Sequence, residues 1–278
     1  MSVTADGRVI DGITCYAPDL AESYDSYPSE GFDVTVEVEE RSFWCRSRNR
    51  LLVHLLRRFA PRDRPVKLLE IGCGTGNVLS ALRQLPNFEL TGSEIYLNGL
   101  KHAQRRLPDV RFVQLDATNM PFRDEFDVIG AFDVLEHIED DVRVAEHAYA
   151  ALRPGGLFVV TVPQYPWMWS DLDEIVKHQR RYTRGQLVGR LTGAGFEILR
   201  CTSFVSTLFP AMAAVRLLSS RQPAAERDTR QAFDNQVRLS GPTNAFCDAA
   251  MRVDEALIAL GASLPFGGSL AVVARRPI

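Results

Sequence analysis

The chain has 278 residues, 46% of them hydrophobic, and a formal net charge of -3. It is long for one domain and short for two large ones, with enough apolar content for a sizeable core. Such a charge balance excludes a general affinity for nucleic acid, and no apolar run reaches the roughly 18 residues of a membrane span.

Five cysteines, Cys15, Cys45, Cys73, Cys201 and Cys247, are scattered without a C-x-x-C pair. Neither a zinc site nor a disulfide framework is indicated, and no metal is expected. Reduced thiols and a polar, acidic N-terminus without a signal-peptide core predict a cytoplasmic protein.

Residues 1–40 read as an irregular acidic arm, with Tyr16, Tyr24 and Tyr27 among acids such as Asp33 and Glu39. It is either a loosely packed arm or an aromatic flap over a small-molecule site, with Tyr24 the residue that meets an acceptor. A helix is predicted over Ser42 to Phe59, because Leu52, Leu55, Leu56 and Phe59 share one face. Its first turns read F-W-C-R-S-R-N-R, which makes Trp44 a core anchor or a pocket wall. Arg48 and Arg50 are solvated or turned to an anion.

Val66 to Ile71 is a strand ending at Glu70, followed by G-C-G-T-G-N, residues 72–77, and an amphipathic helix carrying Val78, Leu79 and Leu82. A buried strand, a glycine turn and a helix start form a nucleotide-type loop. The spacing is neither G-x-G-x-x-G nor a phosphate loop, since no Lys follows. Glu94 ends the next strand, Phe88 to Ser93, 18 residues after Gly76. An acid at that offset can accept from ribose hydroxyls. A third strand, Val110 to Leu115, leads into Asp116 and Ala117. A fourth, Phe126 to Phe132, leads into D-V-L-E-H-I. His137 there suits a general base. Glu136 beside it is a metal-ligand type, but two adjacent ligands alone are weak evidence.

A helix over Val142 to Leu152 ends at R-P-G-G, residues 153–156, read as a chain reversal into the strand Leu157 to Val162. The segment Pro163 to Tyr182 is rich in aromatics, acids and a histidine. Trp167 and Trp169 are expected to wall an acceptor pocket, with His178, Arg181 and Tyr182 orienting, deprotonating or enclosing the acceptor. Alternatively H-x-R-R-Y-T docks the next helix, for which Thr183 and Gln186 form a capping box. Phe196 to Thr202 is a sixth strand, and Ser269 to Ala274 a last one after an apolar stretch, Phe204 to Leu218, and a helix, Ala245 to Leu260.

These motifs together resemble the class I S-adenosylmethionine-dependent methyltransferases, over roughly 66–202 plus 268–276. F-W-x-R-x-R-N resembles the pre-domain helix of a bacterial subgroup. The resemblance implies an α/β Rossmann-like doubly wound sheet of seven strands, the last antiparallel. Residues 1–60 would be an arm and cap helix, 61–202 plus 268–278 the cofactor domain, and 203–267 a helical insertion or lid. It implies S-adenosyl-L-methionine held by Arg48, Glu70, Gly72, Cys73, Gly74, Gly76, Asn77, Glu94, Ile95, Asp116, Ala117 and Phe132, and leaving as S-adenosyl-L-homocysteine. Glu70 would attract its ammonium, Glu94 the ribose and Asp116 the adenine amino group. His137 and His178 are the candidate catalytic bases. A small-molecule acceptor is expected, since no N-P-P-Y tetrapeptide follows the fourth strand. No nucleic-acid partner is expected, and a homodimer is open. The alternatives are a non-catalytic cofactor- or partner-binding protein, and a methyltransferase of lipid-linked substrates using Phe204–Leu218 at a membrane surface.

Overall fold

The structure, a computed structural model, describes residues 7–21, 31–219 and 239–278. Tyr24 and Tyr27 lie outside the described residues.

In chain order the elements are β1 (Arg8–Ile10), β2 (Ile13–Cys15), α1 (Gly31–Val38), α2 (Phe43–Phe59), β3 (Val66–Ile71) and α3 (Asn77–Leu82). Next come β4 (Phe88–Glu94), α4 (Leu97–Arg106), β5 (Arg111–Gln114), β6 (Phe126–Phe132), α5 (Asp141–Ala151) and β7 (Leu152–Pro163). The chain ends with α6 (Asp171–Ile175), α7 (Arg184–Gly193), β8 (Glu197–Phe204), α8 (Phe209–Ser219), α9 (Gly241–Ala259) and β9 (Ser269–Arg275). The strands form one sheet in the order β1-β2-β5-β4-β3-β6-β7-β9-β8.

From β5 to β7 the pairing is parallel throughout, while β9 is antiparallel to both its neighbours. The strand order reverses between β3 and β6, which opens a crevice at their carboxyl ends. Apolar runs such as β6, buried at every position, belong to strands covered on both faces. One face is covered by Leu52 and Leu56 of α2, Leu79 of α3, Leu100 of α4 and Met251 of α9. Val144 and Ala148 of α5 and Leu187 and Leu191 of α7 cover the other.

The sheet has nine strands, not the expected seven. The two additions come from the supposed irregular arm. β1 and β2 form a hairpin, and β2 runs parallel to the edge strand β5, with Tyr16 N–H donating to Gln114 O at 2.8 Å. The R-P-G-G segment also differs from expectation. The chain does turn there, but inside the irregular start of β7, which follows α5 directly, with Gly155 at φ +80°. Gly155 and Gly156 pair there with Arg276, so β7 begins earlier than its apolar run suggests.

Helices α2 and α9 pack together on one face. Phe43 N–H donates to Asn244 Oδ1 at 2.8 Å, and Arg50 holds Glu255 with two 2.7 Å bonds. Arg50 is thereby committed to this joint. Trp44 lies flat on Phe204, ring centroids 5.3 Å apart and 10° between planes, so it anchors α2 to β8. No described helix is long and apolar enough to cross a membrane.

Candidate functional site

Gly72, Gly74 and Gly76 have φ values of +64°, +49° and +77°, a region that L side chains rarely adopt. A Cβ on Gly72 would stand 2.5 Å from a Val134 methyl, whereas one on Gly74 would meet only the Phe32 ring, at 3.5 Å. The loop therefore keeps its bare backbone toward a cleft. Ile71, Gly72, Gly74, Glu94, Ile95, Tyr96, Leu115, Asp116, Ala117, Asp133, Val134, His137, Ile138 and Phe32 line it. The mix of apolar walls with a few acids suits a nucleoside, which has an apolar base face and polar hydroxyls.

Glu94 accepts from the backbone N–H groups of Gly74 (3.1 Å), Ile95 (2.7 Å) and Tyr96 (3.3 Å). One carboxylate thus ties β4 to the glycine loop while remaining on the cleft wall. Asp116 turns Oδ1 to the Thr118 N–H and hydroxyl at 2.8 and 2.7 Å, an Asx turn that also lines the cleft. The turn and the cleft position coexist. Helix α1 closes one side. Glu39, just beyond it, accepts from Thr75 Oγ1 at 2.7 Å and pairs with Arg106 at 2.5 Å.

Glu70 lies beneath the cleft rather than on its wall. Burial pushes its carboxyl from 4.5 up to about 8, against the pull of Arg48, and its Oε2 is buried with no hydrogen-bond partner. A buried carboxylate oxygen without a donor is costly. An ammonium group would satisfy it. Arg48 is spoken for: its Nη1 lies 2.7 Å from Asp133 Oδ2. Burial works against the Arg48 charge, and the Asp133 carboxylate more than compensates.

At the far end of the cleft His137 and His178 meet edge to face, ring centroids 4.6 Å apart. Glu136 joins them, fully buried, with neither carboxylate oxygen hydrogen-bonded. One ligand atom from each of Glu136, His137 and His178 lies within 4.8 Å of the others. His178 Nδ1 lies 2.8 Å from Asp173 Oδ1, and Asp173 is gripped by the Arg181 fork at 2.8 and 2.9 Å.

The methyltransferase domain family matches residues 44–200, more than half of the chain. This chain belongs to that family. A Mycolicibacterium smegmatis protein named a probable S-adenosylmethionine-dependent methyltransferase is 28% identical over 164 residues, 58% of this chain and 62% of its own length. Trans-aconitate 2-methyltransferase of Rhodopseudomonas palustris is 30% identical over 115 residues, 41% of this chain and 43% of its own length. The chain thus spans between about two fifths and three fifths of these curated relatives. Among solved structures the cyclase SpnF superposes with a TM-score of 0.54 at 24% identity, covering 82% of this chain and 81% of its own. That likeness is one of fold alone, and a cyclase on this fold shows that the fold does not choose the reaction.

Within this methyltransferase domain several residues expected at the site stand elsewhere. Of Phe132 and Asp133, the two candidates at the end of β6, Phe132 is buried against Gly130 and Asp133, at φ +58°, lines the cleft. Cys73 is buried, Gly76 packs against Ala103, and Asn77 accepts from Asn49 Nδ2 at 2.8 Å. Tyr182 is fully buried, its hydroxyl bound to Asp141 Oδ2 at 2.5 Å and Leu135 O at 3.1 Å, so it belongs to the core and not to an acceptor pocket. Arg181 is committed to Asp173, and the capping box of Thr183 and Gln186 is present, so H-x-R-R-Y-T does dock α7. Trp169 Nε1 donates to Glu174, and Trp167 stands 48% exposed among Tyr165 and Phe209. Neither tryptophan lines the cleft. Contributors that went unread in the sequence include Phe32 on α1, Tyr96 after β4 and Asp173 on α6. Phe32 sat in a stretch taken for irregular, and Asp173 was one acid among several. The capping box of Ser170 with Asp173 was the available signal.

Proposed function

We propose that the chain is an S-adenosyl-L-methionine-dependent methyltransferase acting on a small-molecule acceptor in the cytoplasm. One observation carries this reading. The positive-φ glycine loop exposes backbone to the cleft while Glu94 is latched to it at 3.1 Å and Asp116 stands across the same cleft. The residues present fit that cofactor. Glu70 has a buried oxygen awaiting a donor, Glu94 keeps lone pairs for ribose hydroxyls, and Ile95, Leu115, Ala117 and Ile138 offer apolar flanks for a purine.

When bound, the cofactor supplies an electrophilic sulfonium methyl. The chain's part is to align and dry the site and to deal with the acceptor's proton. His137 lines the cleft and His178 stands against it, so a hydroxyl acceptor at that end has a proton acceptor at hand. Mixing the purified protein with methyl-labelled cofactor and a small-molecule extract tests the proposal. A labelled small molecule is expected. Tight cofactor binding with no labelled product would leave the non-catalytic alternative.

A second reading concerns the acceptor's setting. Trp167, Met212, Val215, Leu218 and Phe266 are exposed apolar side chains on and around α8. They support a lipid-linked acceptor reached at a membrane surface. Sedimentation with anionic vesicles, abolished by Val215→Glu with Leu218→Glu, is its outcome; recovery entirely in the supernatant sets it aside.

A further inference from the structure

We propose that Glu136, His137 and His178 form a binding site for one divalent transition-metal cation at the acceptor end of the cleft. The site is built from two separated segments. Glu136 and His137 belong to the short turn after β6, and His178 follows α6. The fold brings them together so that their ligand atoms lie within 4.8 Å of one another.

Three observations point to a cation rather than to an ordinary core contact. First, Glu136 is fully buried and neither of its oxygens accepts a hydrogen bond. An ionised carboxylate buried there needs a counter-charge, and without one the group stays protonated. Asp133 nearby has the wrong sign, and the Arg48 and Arg181 guanidinium groups are engaged with Asp133 and Asp173 instead.

Second, Glu136 Oε1 stands 4.0 Å from His178 Nε2. That is too far for a hydrogen bond. It does not exceed twice the roughly 2.0–2.2 Å of a metal–nitrogen or metal–carboxylate bond, so an ion between the two atoms can reach both.

Third, the orientation of His178 is fixed from behind. Asp173 is a carboxylate and can only accept, so His178 Nδ1, 2.8 Å away, must carry the proton. This leaves the Nε2 lone pair facing Glu136. Asp173 is held in turn by Ser170 and by both arms of Arg181. A histidine whose outer nitrogen donates to a buried carboxylate is the usual support behind a metal ligand.

Two imidazoles and one carboxylate select zinc, cobalt, iron or manganese over magnesium or calcium. Three protein ligands leave coordination positions open, and His137 places them at the cleft. With the ion bound, His137 and His178 serve as its ligands and not as proton acceptors, and an acceptor hydroxyl there would release its proton to solvent more readily. This last consequence, a hydroxyl or enol acceptor, rests on the methyltransferase reading; the metal site does not.

The test uses the full chain, treated with chelator and then titrated with Co2+ and Zn2+ in the absence of cofactor. One equivalent is expected to bind, with Co2+ absorption bands of a nitrogen- and oxygen-ligated site. Glu136→Gln and His178→Ala should each weaken Co2+ binding at least tenfold, with circular dichroism confirming that they fold. Asp173→Asn, a positioning change, should weaken it about tenfold and shift the Co2+ bands. Well under one equivalent bound by the folded protein, or unchanged affinity in His178→Ala, would overturn the proposal. S-adenosyl-L-homocysteine binding is measured separately. Cofactor binding without metal binding refutes only this site; metal binding without cofactor binding refutes only the proposed function.

Discussion

Arg48 Nη1 meets Asp133 Oδ2 at 2.7 Å, which joins the middle of α2 to the strand end where β6 enters the cleft. Asp133 holds a left-handed backbone, and its Oδ1 takes the Thr161 hydroxyl at 3.2 Å. Removing one partner of a buried pair leaves the other charge uncompensated, at a cost of about 3–5 kcal/mol. Arg48→Ala should therefore lower stability by that order and weaken cofactor binding as well. Denaturant melts and calorimetry check it; a variant of wild-type stability would show the pair to be dispensable.

Glu70 makes stability depend on pH in a definite direction. Its carboxyl is raised from 4.5 to about 8 by burial, so between those values the folded state holds a proton that the unfolded state has lost. Stability must fall as pH rises through that window. Glu70→Gln should stabilise the ligand-free protein at about pH 9 by several kcal/mol, at about 1.4 kcal/mol per pKa unit. It should do little near about pH 4. Melts at both pH values decide it, and an equal effect at both would refute the account. By the same logic cofactor binding near neutral pH should release a proton, seen as a dependence of binding heat on buffer ionisation enthalpy.

Gly74→Asp should weaken cofactor binding at least tenfold, about 1.4 kcal/mol. The position has φ +49° and faces the cleft, so a new carboxylate is both strained and in the ligand's place. Glu94→Ala should match or exceed that loss, because three backbone N–H groups lose their acceptor. Glu94→Gln keeps one acceptor oxygen and should lose less. Calorimetric titration ranks the three.

Tyr182→Phe removes a hydroxyl buried against Asp141 and Leu135. The expected loss is roughly 1–3 kcal/mol of stability with cofactor affinity unchanged. Acceptor use that fell further than the loss of folded protein would return Tyr182 to the site.

Phe32 leans over Gly74 and packs against Tyr96, centroids 5.7 Å apart. Phe32→Ala should open that wall and weaken cofactor binding, and because the ring is buried it should also lower the stability of the ligand-free protein by up to about 3–5 kcal/mol.

The amino-acid sequence alone determined the strand–glycine–helix unit, the bounds of β3 and β6 and the acid that ends β4. These rest on local rules: a doubly buried strand needs a continuous apolar run, and a run of backbone positions at positive φ favours glycine. Periodicity failed where the signal was not local. The β1–β2 hairpin has only three residues in each strand, too few to show a period, and its pairing with β5 comes from residues about a hundred positions away. The aromatic density around Trp167 and Trp169 marked a pocket in the sequence, but only packing could turn one ring outward and pin the other to Glu174. Tertiary structure alone brought His178 to Glu136 and His137 and set Asp173 behind it, because a side chain's partners across a sheet are chosen by topology and not by spacing along the chain.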